Sequence, residues 1–317
     1  MKSFKQFITE EEIIIPKVHI WGALLSGNYR QIQAALDSPN MTKEHLDWAM
    51  KHRNEWIVLH ALESRNHTKE HVDLGMKHHS WDVVRKALNS PHATKEHVDL
   101  AMKHESANVV AQALKSPHAT KKHVDLAMRH ESTHVVSTAL NSPHHTKKHV
   151  DLGMKHHNPS IVELALQSPH HTKEHVDLAM EHYSPYVVMH ALKSPHHTKE
   201  HVDLAMRNDK ISVVKAALNS PHHTKEHVDL GIGHNNLDVV REAIVSPHAT
   251  KEHIDLAMKH SSAYVVTIAL HSPHATKEQI SGVIERWSDK PYDFGGWIVE
   301  VAQNELDRRN NNESQQS

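Results

Sequence analysis

The sequence predicts an all-α protein, a right-handed α-solenoid of about ten 26-residue helix-turn-helix repeats followed by a C-terminal capping helix. Three observations support this prediction: a fixed 26-residue period, two apolar stripes with helical spacing in each period, and a helix-capping residue before each stripe. The serine of a Ser-Pro turn, or its remnant, marks the period at Ser38, Ser64, Ser90, Ser116, Ser142, Ser168, Ser194, Ser220, Ser246 and Ser272.

The unit from Thr94 to Ala119 illustrates how each repeat builds two short helices. The first stripe comprises Val98, Ala101 and Met102, and the second comprises Val109, Val110, Ala113 and Leu114. Thr94 is a suitable N-cap for the first helix and Ser106 for the second, whereas Ser-Pro ends the second helix. Helices of about 9 to 11 residues are marginal alone, so we expect their apolar stripes to be buried against neighbouring repeats.

The cap position of the second helix supports this division independently. It is Asn or Ser in every unit from Asn28 to Ser262 except one, which has Lys210. Proline follows the cap at Pro159 and Pro185, where a helix tolerates it because the first N–H has no helical partner.

Four segments are expected along the chain. They are an amphipathic leader at residues 1–15, the tandem repeats at 16–275, a divergent last repeat and capping helix at 276–306, and a disordered polar tail at 307–317. The capping helix should present Trp297, Ile298 and Val301 as its apolar stripe.

Composition excludes several classes of function. The chain has a formal charge of −2 and a pI near 7.1, interleaved charges and few aromatic residues, which disfavours nucleic-acid binding. It has no cysteine, no apolar run of about 18 residues and no secretory signal, so we expect a soluble intracellular protein. No nucleophile elbow, phosphate-binding loop or EF-hand motif occurs, and we expect neither enzymatic activity nor a cofactor.

The repeat pattern A-L-x-S-P-H-x-T-K-E-H-V-D-L-A-M resembles the leucine-rich repeat variant family and, more loosely, HEAT-type repeats. The resemblance extends from about Pro16 to Ile284. It implies an α-solenoid and says little about function, because its motifs are turns, caps and apolar spacings. The family's repeat is slightly shorter, so the second segment could be a full α-helix or a tighter turn.

His171, Glu174 and His175 match the H-x-x-E-H signature of a metalloprotease class. Thr172 is the expected N-cap, so His171 lies outside the helix that contains His175, and the same letters recur in phase elsewhere. The match is therefore a product of the repeat. A weaker hypothesis is that His170, His171 and His175 bind zinc, nickel or copper, and the alternative is that they cap turns and helix ends.

The other recurrent side chains have structural interpretations. His97 and His104 flank Leu100 on a face that should meet the adjacent repeat, which predicts a ladder of partly buried histidines and loss of stability in acid. The aspartates from Asp47 to Asp255 lie four residues after a lysine and indicate an exposed i,i+4 charge ladder.

The outer face of the second helix varies from unit to unit, and solenoids use such faces to bind partners. The alternative is that nothing constrains these positions. If they bind, the aromatic and methionine members should contribute most. The candidate partner-binding residues are Trp56, His60, Arg85, Tyr186, Met189 and His190.

The N-terminal stretch MKSFKQFITEEE carries Phe4, Phe7 and Ile8 at helical spacing. It resembles the capsid-targeting leader of internal head proteins of T-even-like tailed phages. That resemblance implies packaging into a prohead and cleavage by the prohead protease between Glu10 and Glu11, with Ile8 and Glu10 forming part of the cleavage site. An ordinary amphipathic N-terminus is the alternative.

The sequence thus favours a non-enzymatic protein-binding or scaffolding repeat protein of a tailed phage, packaged in or assembled with the head. Its expected partners are capsid or prohead-core proteins and the prohead protease, and its expected location is the host cytoplasm, the virion interior or both. The alternative is a histidine-rich metal-binding or pH-responsive protein.

Overall fold

The computed structural model describes residues 19–289 and 295–314, and within them the chain forms 22 α-helices and no strand. The predicted leader, with Ile8, Glu10 and Glu11, lies outside the described residues. No helix in the described ranges is both long enough and apolar enough to cross a membrane. The chain divides into two compact units, the first ending at Gly153 and the second beginning at Met154.

The first unit contains α1 (Ile20–Leu25), α2 (Tyr29–Leu36), α3 (Lys43–Ala49), α4 (Glu55–Glu63), α5 (Lys69–Gly75), α6 (Trp81–Leu88), α7 (Lys95–Ala101), α8 (Ala107–Leu114), α9 (Lys121–Ala127), α10 (Thr133–Leu140) and α11 (Lys147–Gly153). The second contains α12 (Pro159–Gln167), α13 (Lys173–Met180), α14 (Pro185–Ala191), α15 (Lys199–Ala205), α16 (Ile211–Leu218), α17 (Lys225–Ile232), α18 (Leu237–Val245), α19 (Lys251–Met258), α20 (Ala263–Leu270), α21 (Lys277–Ser288) and α22 (Gly296–Ser314).

Each unit is an array of α-solenoid repeats, as predicted. Successive second helices pack side by side, from α2 to α10 in the first unit and from α12 to α22 in the second. The second segment of each repeat is a full α-helix, and most helices are 7 to 9 residues long, shorter than expected. Helices this short depend on packing against their neighbours for their stability.

The predicted core positions are buried, except that Met102 is only partly buried. Val98, Val109 and Ala113 are fully enclosed, and the same columns are buried along both units. Burying one such aliphatic side chain contributes about 1.5–3 kcal/mol, so the repeated columns provide most of the favourable energy of the array.

The second helices begin where the cap residues predict, but only asparagine caps with its side chain. Asn236 accepts the N–H groups of Asp238 and Val239, whereas Ser106 and Lys210 make no side-chain cap bond. Each helix therefore begins at the predicted residue, although the mechanism expected for the serine caps was wrong.

The C-terminal helix differs from the prediction in two respects. Ile298 and Ala302 are buried against α21, but Trp297 is exposed. The helix also continues to Ser314, into the segment for which a disordered tail was predicted. Polar contacts hold this part of the helix in place. Arg309 donates to Glu305 Oε1 at 2.7 Å and to the carbonyl oxygens of Ala275 and Ser272 at 2.7 and 2.8 Å.

Candidate functional site

The first helices from α3 to α19 carry a histidine in their first turn, and this histidine accepts a hydrogen bond from the backbone. The N–H of Thr94 donates to Nδ1 of His97 at 2.9 Å, and His97 occupies the position that Glu or Gln takes in a capping box. Equivalent bonds of 2.8 to 3.0 Å involve His45, His71, His123, His149, His175, His201, His227 and His253. These rings are buried.

The other nitrogen of this histidine binds the preceding repeat. Nε2 of His97 lies 2.6 Å from Asp73 Oδ1. The same bond joins His123 to Asp99, His149 to Asp125, His201 to Asp177, His227 to Asp203 and His253 to Asp229 at 2.5 to 2.9 Å. Because Nδ1 accepts an N–H, the single ring proton is on Nε2, and the fold selects this neutral tautomer.

The recurrent aspartate therefore does more than the i,i+4 ladder requires. Asp99 pairs with Lys95 at 2.6 Å, as the sequence predicts, and it also accepts a hydrogen bond from Nε2–H of His123. The bonds from Lys95 and His123 lower the pKa of Asp99 to about 2. Sequence reasoning missed the second bond because its partners are 24 residues apart.

A second group of histidines has the opposite tautomer. Nδ1–H of His171 donates to the carbonyl of Ser168 at 2.6 Å, and its Nε2 accepts from the hydroxyl of Ser194 in the next repeat at 2.7 Å. His67, His197 and His223 make the same pair of bonds. Burial lowers the pKa of His197 and His223.

A third group stabilises the turn between the two helices. Nδ1 of His104 accepts the N–H of Ser106 at 2.9 Å, and His52, His78, His130, His156, His182, His234 and His260 do the same at their own turns. Asn208 replaces this histidine in one repeat and accepts the N–H of Lys210 through Oδ1 at 2.9 Å. Burial lowers the pKa of His78, His156 and His182.

These bonds define what the metal candidates can do. Both nitrogens of His171 are engaged, Nδ1 of His175 accepts the N–H of Thr172, and His170 is exposed at the turn. A metal ion would have to displace hydrogen bonds within the fold. Residues 19–289 and 295–314 contain no group of three or more His, Asp or Glu side chains suited to a metal.

The variable face of α4 and α6 in the first unit contains three of the predicted partner-binding residues. Trp56 is half-buried between the rings of Tyr29 and His60, whose centroids lie 4.2 and 4.0 Å away. Arg85 is exposed, pairs with Asp82 at 3.0 Å and lies over the ring of Trp81. Trp56 and His60 thus form one cluster, and Arg85 belongs to the next second helix.

The other three predicted residues share α14 in the second unit. Tyr186 is 67% exposed, whereas Met189 and His190 are half-buried. Nε2 of His190 lies 3.6 Å from Glu163 Oε2 on α12. Tyr186 is therefore the accessible member, and His190 serves in part to join neighbouring repeats.

Exposed leucines on the first helices of each unit were not predicted. Leu100 was expected to meet the adjacent repeat, but it is 48% exposed, because Val98 and Ala101 already fill the buried face. The equivalent leucines are also exposed: Leu74, Leu126, Leu152, Leu178, Leu204, Leu230 and Leu256. Their recurrence outside the Val-Ala stripe was the signal that could have identified them.

In the second unit, a pocket of about 390 Å³ lies between α19 and α21, where Gly282 occupies the leucine position. Gln279 replaces the capping histidine there: its Oε1 accepts the N–H of Thr276 at 2.9 Å, and its Nε2 donates to the carbonyl of Lys251 at 3.1 Å. The amide oxygen of Gln279 thus accepts the same backbone N–H that Nδ1 of histidine accepts in the other repeats.

Comparison with known proteins adds no assignment to this geometry. No protein-family model matches the chain, and none of the curated proteins is significantly similar to it.

Proposed function

We propose that this protein acts by binding other proteins through the variable face of its second helices, as a scaffold rather than as an enzyme. One observation carries the proposal: large apolar side chains are exposed at the first two positions of several second helices and differ from repeat to repeat. They are Tyr29, Trp81, Tyr186, Ile211, Leu237 and Tyr264. The buried columns are nearly constant, so the differences between repeats are concentrated where a partner could contact them.

Aromatic residues at such positions favour protein recognition. Tyrosine and tryptophan combine a large apolar area with a polar group and are enriched at the residues that dominate binding energy. Tyr186 is the most exposed of the six, and Met189 lies one turn further along α14. We expect these two residues to contribute most in the second unit.

The finer assignment is a tailed-phage protein packaged in or assembled with the head, in the virion interior, the host cytoplasm or both. Its support is the resemblance of Met1 to Glu10 to a capsid-targeting leader, together with repeats that resemble leucine-rich repeat variants and HEAT units. Intact mass and N-terminal sequencing of the protein from its native source test this assignment. A chain beginning at Glu11 supports prohead processing, whereas one retaining Met1 or Lys2 contradicts it.

Binding to capsid and prohead-core proteins tests the broader proposal. Replacing both Tyr186 and Met189 by alanine should weaken binding of the capsid or prohead-core protein tested, since truncating a residue that dominates an interface costs about 1 kcal/mol or more. Tyr183→Ala is the matched control, because Tyr183 is 75% exposed but lies in the turn before α14. Equal binding by all variants would contradict a role for the second-helix face.

The histidines support a second candidate function, a response to pH. Three groups of imidazoles are held in defined neutral tautomers, and burial lowers the pKa of several of them. The metal-binding version is tested by calorimetric titration with zinc and nickel. Binding tighter than a surface histidine cluster gives would support it, and its absence would leave only the pH response.

A further inference from the structure

The second position of the first helix changes its charge in two adjacent repeats. It is glutamate in most repeats, as in Glu70 and Glu96, but it is Lys122 in α9 and Lys148 in α11. Both lysines are exposed. All the residues concerned belong to the first unit.

Elsewhere this glutamate is attracted to the preceding repeat. The Thr68 hydroxyl has the largest effect in lowering the pKa of Glu70, and the Lys43 ammonium of the preceding repeat lowers it further. The lysine of the preceding repeat also lowers the pKa of the equivalent glutamate in other repeats: Lys173 acts on Glu200, Lys199 on Glu226 and Lys225 on Glu252. In the equivalent register, Lys122 and Lys148 place a cation where the array otherwise has a carboxylate.

This exchange is unfavourable for the isolated array. Cations in the first turn of a helix oppose the helix dipole. The bond from His149 has the largest effect in lowering the pKa of Asp125, and the Lys121 and Lys148 ammonium groups lower it further. Residues that break a local rule are expected at functional positions.

The two lysines lie beside exposed apolar side chains. Leu126 is 58% exposed in α9 and Leu152 is 40% exposed in α11, and Arg129 follows α9 with its side chain exposed. The bond of 2.9 Å between His149 and Asp125 fixes α11 against α9. We call Lys122, Leu126, Arg129, Lys148 and Leu152 the basic-leucine surface.

We infer that the basic-leucine surface docks an acidic amphipathic segment of a partner protein. Apolar side chains of that segment would cover Leu126 and Leu152, and its carboxylates would pair with Lys122, Lys148 and Arg129. This inference rests on the proposed function, protein binding, but it uses the first helices rather than the second.

Charge and composition favour this occupant over nucleic acid. None of the five residues is aromatic, so the surface lacks the stacking platform typical of single-strand binding, and the two leucines offer nothing to phosphates. The aspartates of these two helices, Asp125 and Asp151, accept bonds from His149 and Lys147 at 2.9 and 3.0 Å. Lys122 and Lys148 are both exposed and so are accessible to an external anion.

A designed peptide provides the direct test on the full chain. The labelled probe is a 16-residue helix with leucine along one face and glutamate elsewhere, and binding is followed by fluorescence anisotropy. Lys122→Glu with Lys148→Glu restores the residue found in neighbouring repeats, so the fold should be retained. We expect about a tenfold loss of affinity, because two attractive charge pairs with the peptide become repulsive.

A matched variant builds the same pairing of lysine and leucine in two other repeats. Glu200→Lys with Glu226→Lys places lysines beside the exposed Leu204 and Leu230 in two adjacent repeats of the second unit. This variant should gain a second binding site for the same peptide. Leu126→Ala with Leu152→Ala should weaken the original site, while a peptide with alanine in place of leucine should bind poorly to every variant.

Several outcomes would overturn the inference. Unchanged peptide affinity in the Lys122→Glu, Lys148→Glu protein refutes it, and so does tighter binding of a 20-nucleotide single-stranded DNA or of phosphatidylserine vesicles through the same lysines. The peptide assay does not involve Tyr186 or Met189. Its failure would thus leave partner binding by the second helices standing, and failure of the Tyr186 test would leave the peptide result standing.

Discussion

His71→Gln should make the protein less sensitive to acid, because it keeps a neutral acceptor and removes a titrating group. His71 is fully buried, its Nδ1 accepts the N–H of Thr68 at 2.9 Å, and its Nε2 lies 3.2 Å from Asp47 Oδ1. Burial lowers the pKa of His71, with a further contribution from the Lys43 ammonium, and Asp47 opposes this effect only in part. Gln279 shows that an amide can occupy this position.

The sign of the effect follows from the direction of the pKa change. An imidazole in the unfolded chain has a pKa near 6.5, and the folded value is lower. Above pH 6.5 neither state binds the proton, so the contribution of neutral His71 is complete. As the pH falls from 6.5 through the folded pKa, the unfolded chain takes up the proton first, and stability is lost.

The difference in pKa between the folded and unfolded states also sets an upper limit on the loss of stability caused by His71. If folded His71 stayed neutral at pH 5.5, the unfolded state would gain about 1.4 kcal/mol from protonation of this one ring. For a unit of this size, that corresponds to a difference of roughly 3 to 6 °C in Tm. At pH 7.5 we expect the variant to be somewhat less stable than the wild type, because the buried ring is lost.

Thermal unfolding followed by circular dichroism at pH 7.5, 6.5 and 5.5 measures this difference. The wild type should lose more Tm than His71→Gln between pH 7.5 and 5.5. His118→Gln is the control: its side chain is exposed, and the variant should follow the wild type. Equal losses in His71→Gln and the wild type would refute the assignment of acid sensitivity to this ring.

Two further predictions concern stability. Lys210→Asn should stabilise the protein by about 1 kcal/mol, measured by urea unfolding, because it supplies the side-chain cap that Asn236 provides in the next repeat; no gain would contradict the cap analysis. Arg309→Ala should cost about 3 kcal/mol and expose α22 to hydrogen exchange, since its guanidinium and Glu305 are both largely buried. Arg308→Ala removes an exposed partner of the same carboxylate and should cost under about 1 kcal/mol, so equal effects would contradict the buried-pair argument.

The sequence predicted the features that are local to one repeat. The 26-residue period, the N-cap positions of Thr94 and Ser106 and the burial of Val98 and Val109 all depend on side chains within a few residues of each other. Capping preferences and helical spacing act over the same range, which is why they could be recognised.

Features that depend on neighbouring repeats could not be predicted in the same way. The bond between His97 and Asp73 spans 24 residues, and the position of Leu100 is decided by which face of α7 meets α8. The sequence alternative in which histidines cap turns agrees with the observed bonds. It could not show that the capping ring also donates to an aspartate in the preceding repeat.

Two exceptions show what the recurrent histidines contribute. Gln279 and Asn208 have no imidazole, yet each accepts the same backbone N–H as the histidine in other repeats. At each of these two positions a neutral acceptor is sufficient, and an imidazole is not required. Since the recurrent histidines make hydrogen bonds within the fold, the repeats can differ in function through their exposed residues, such as Lys122 in place of glutamate and Tyr186 in place of a small polar residue.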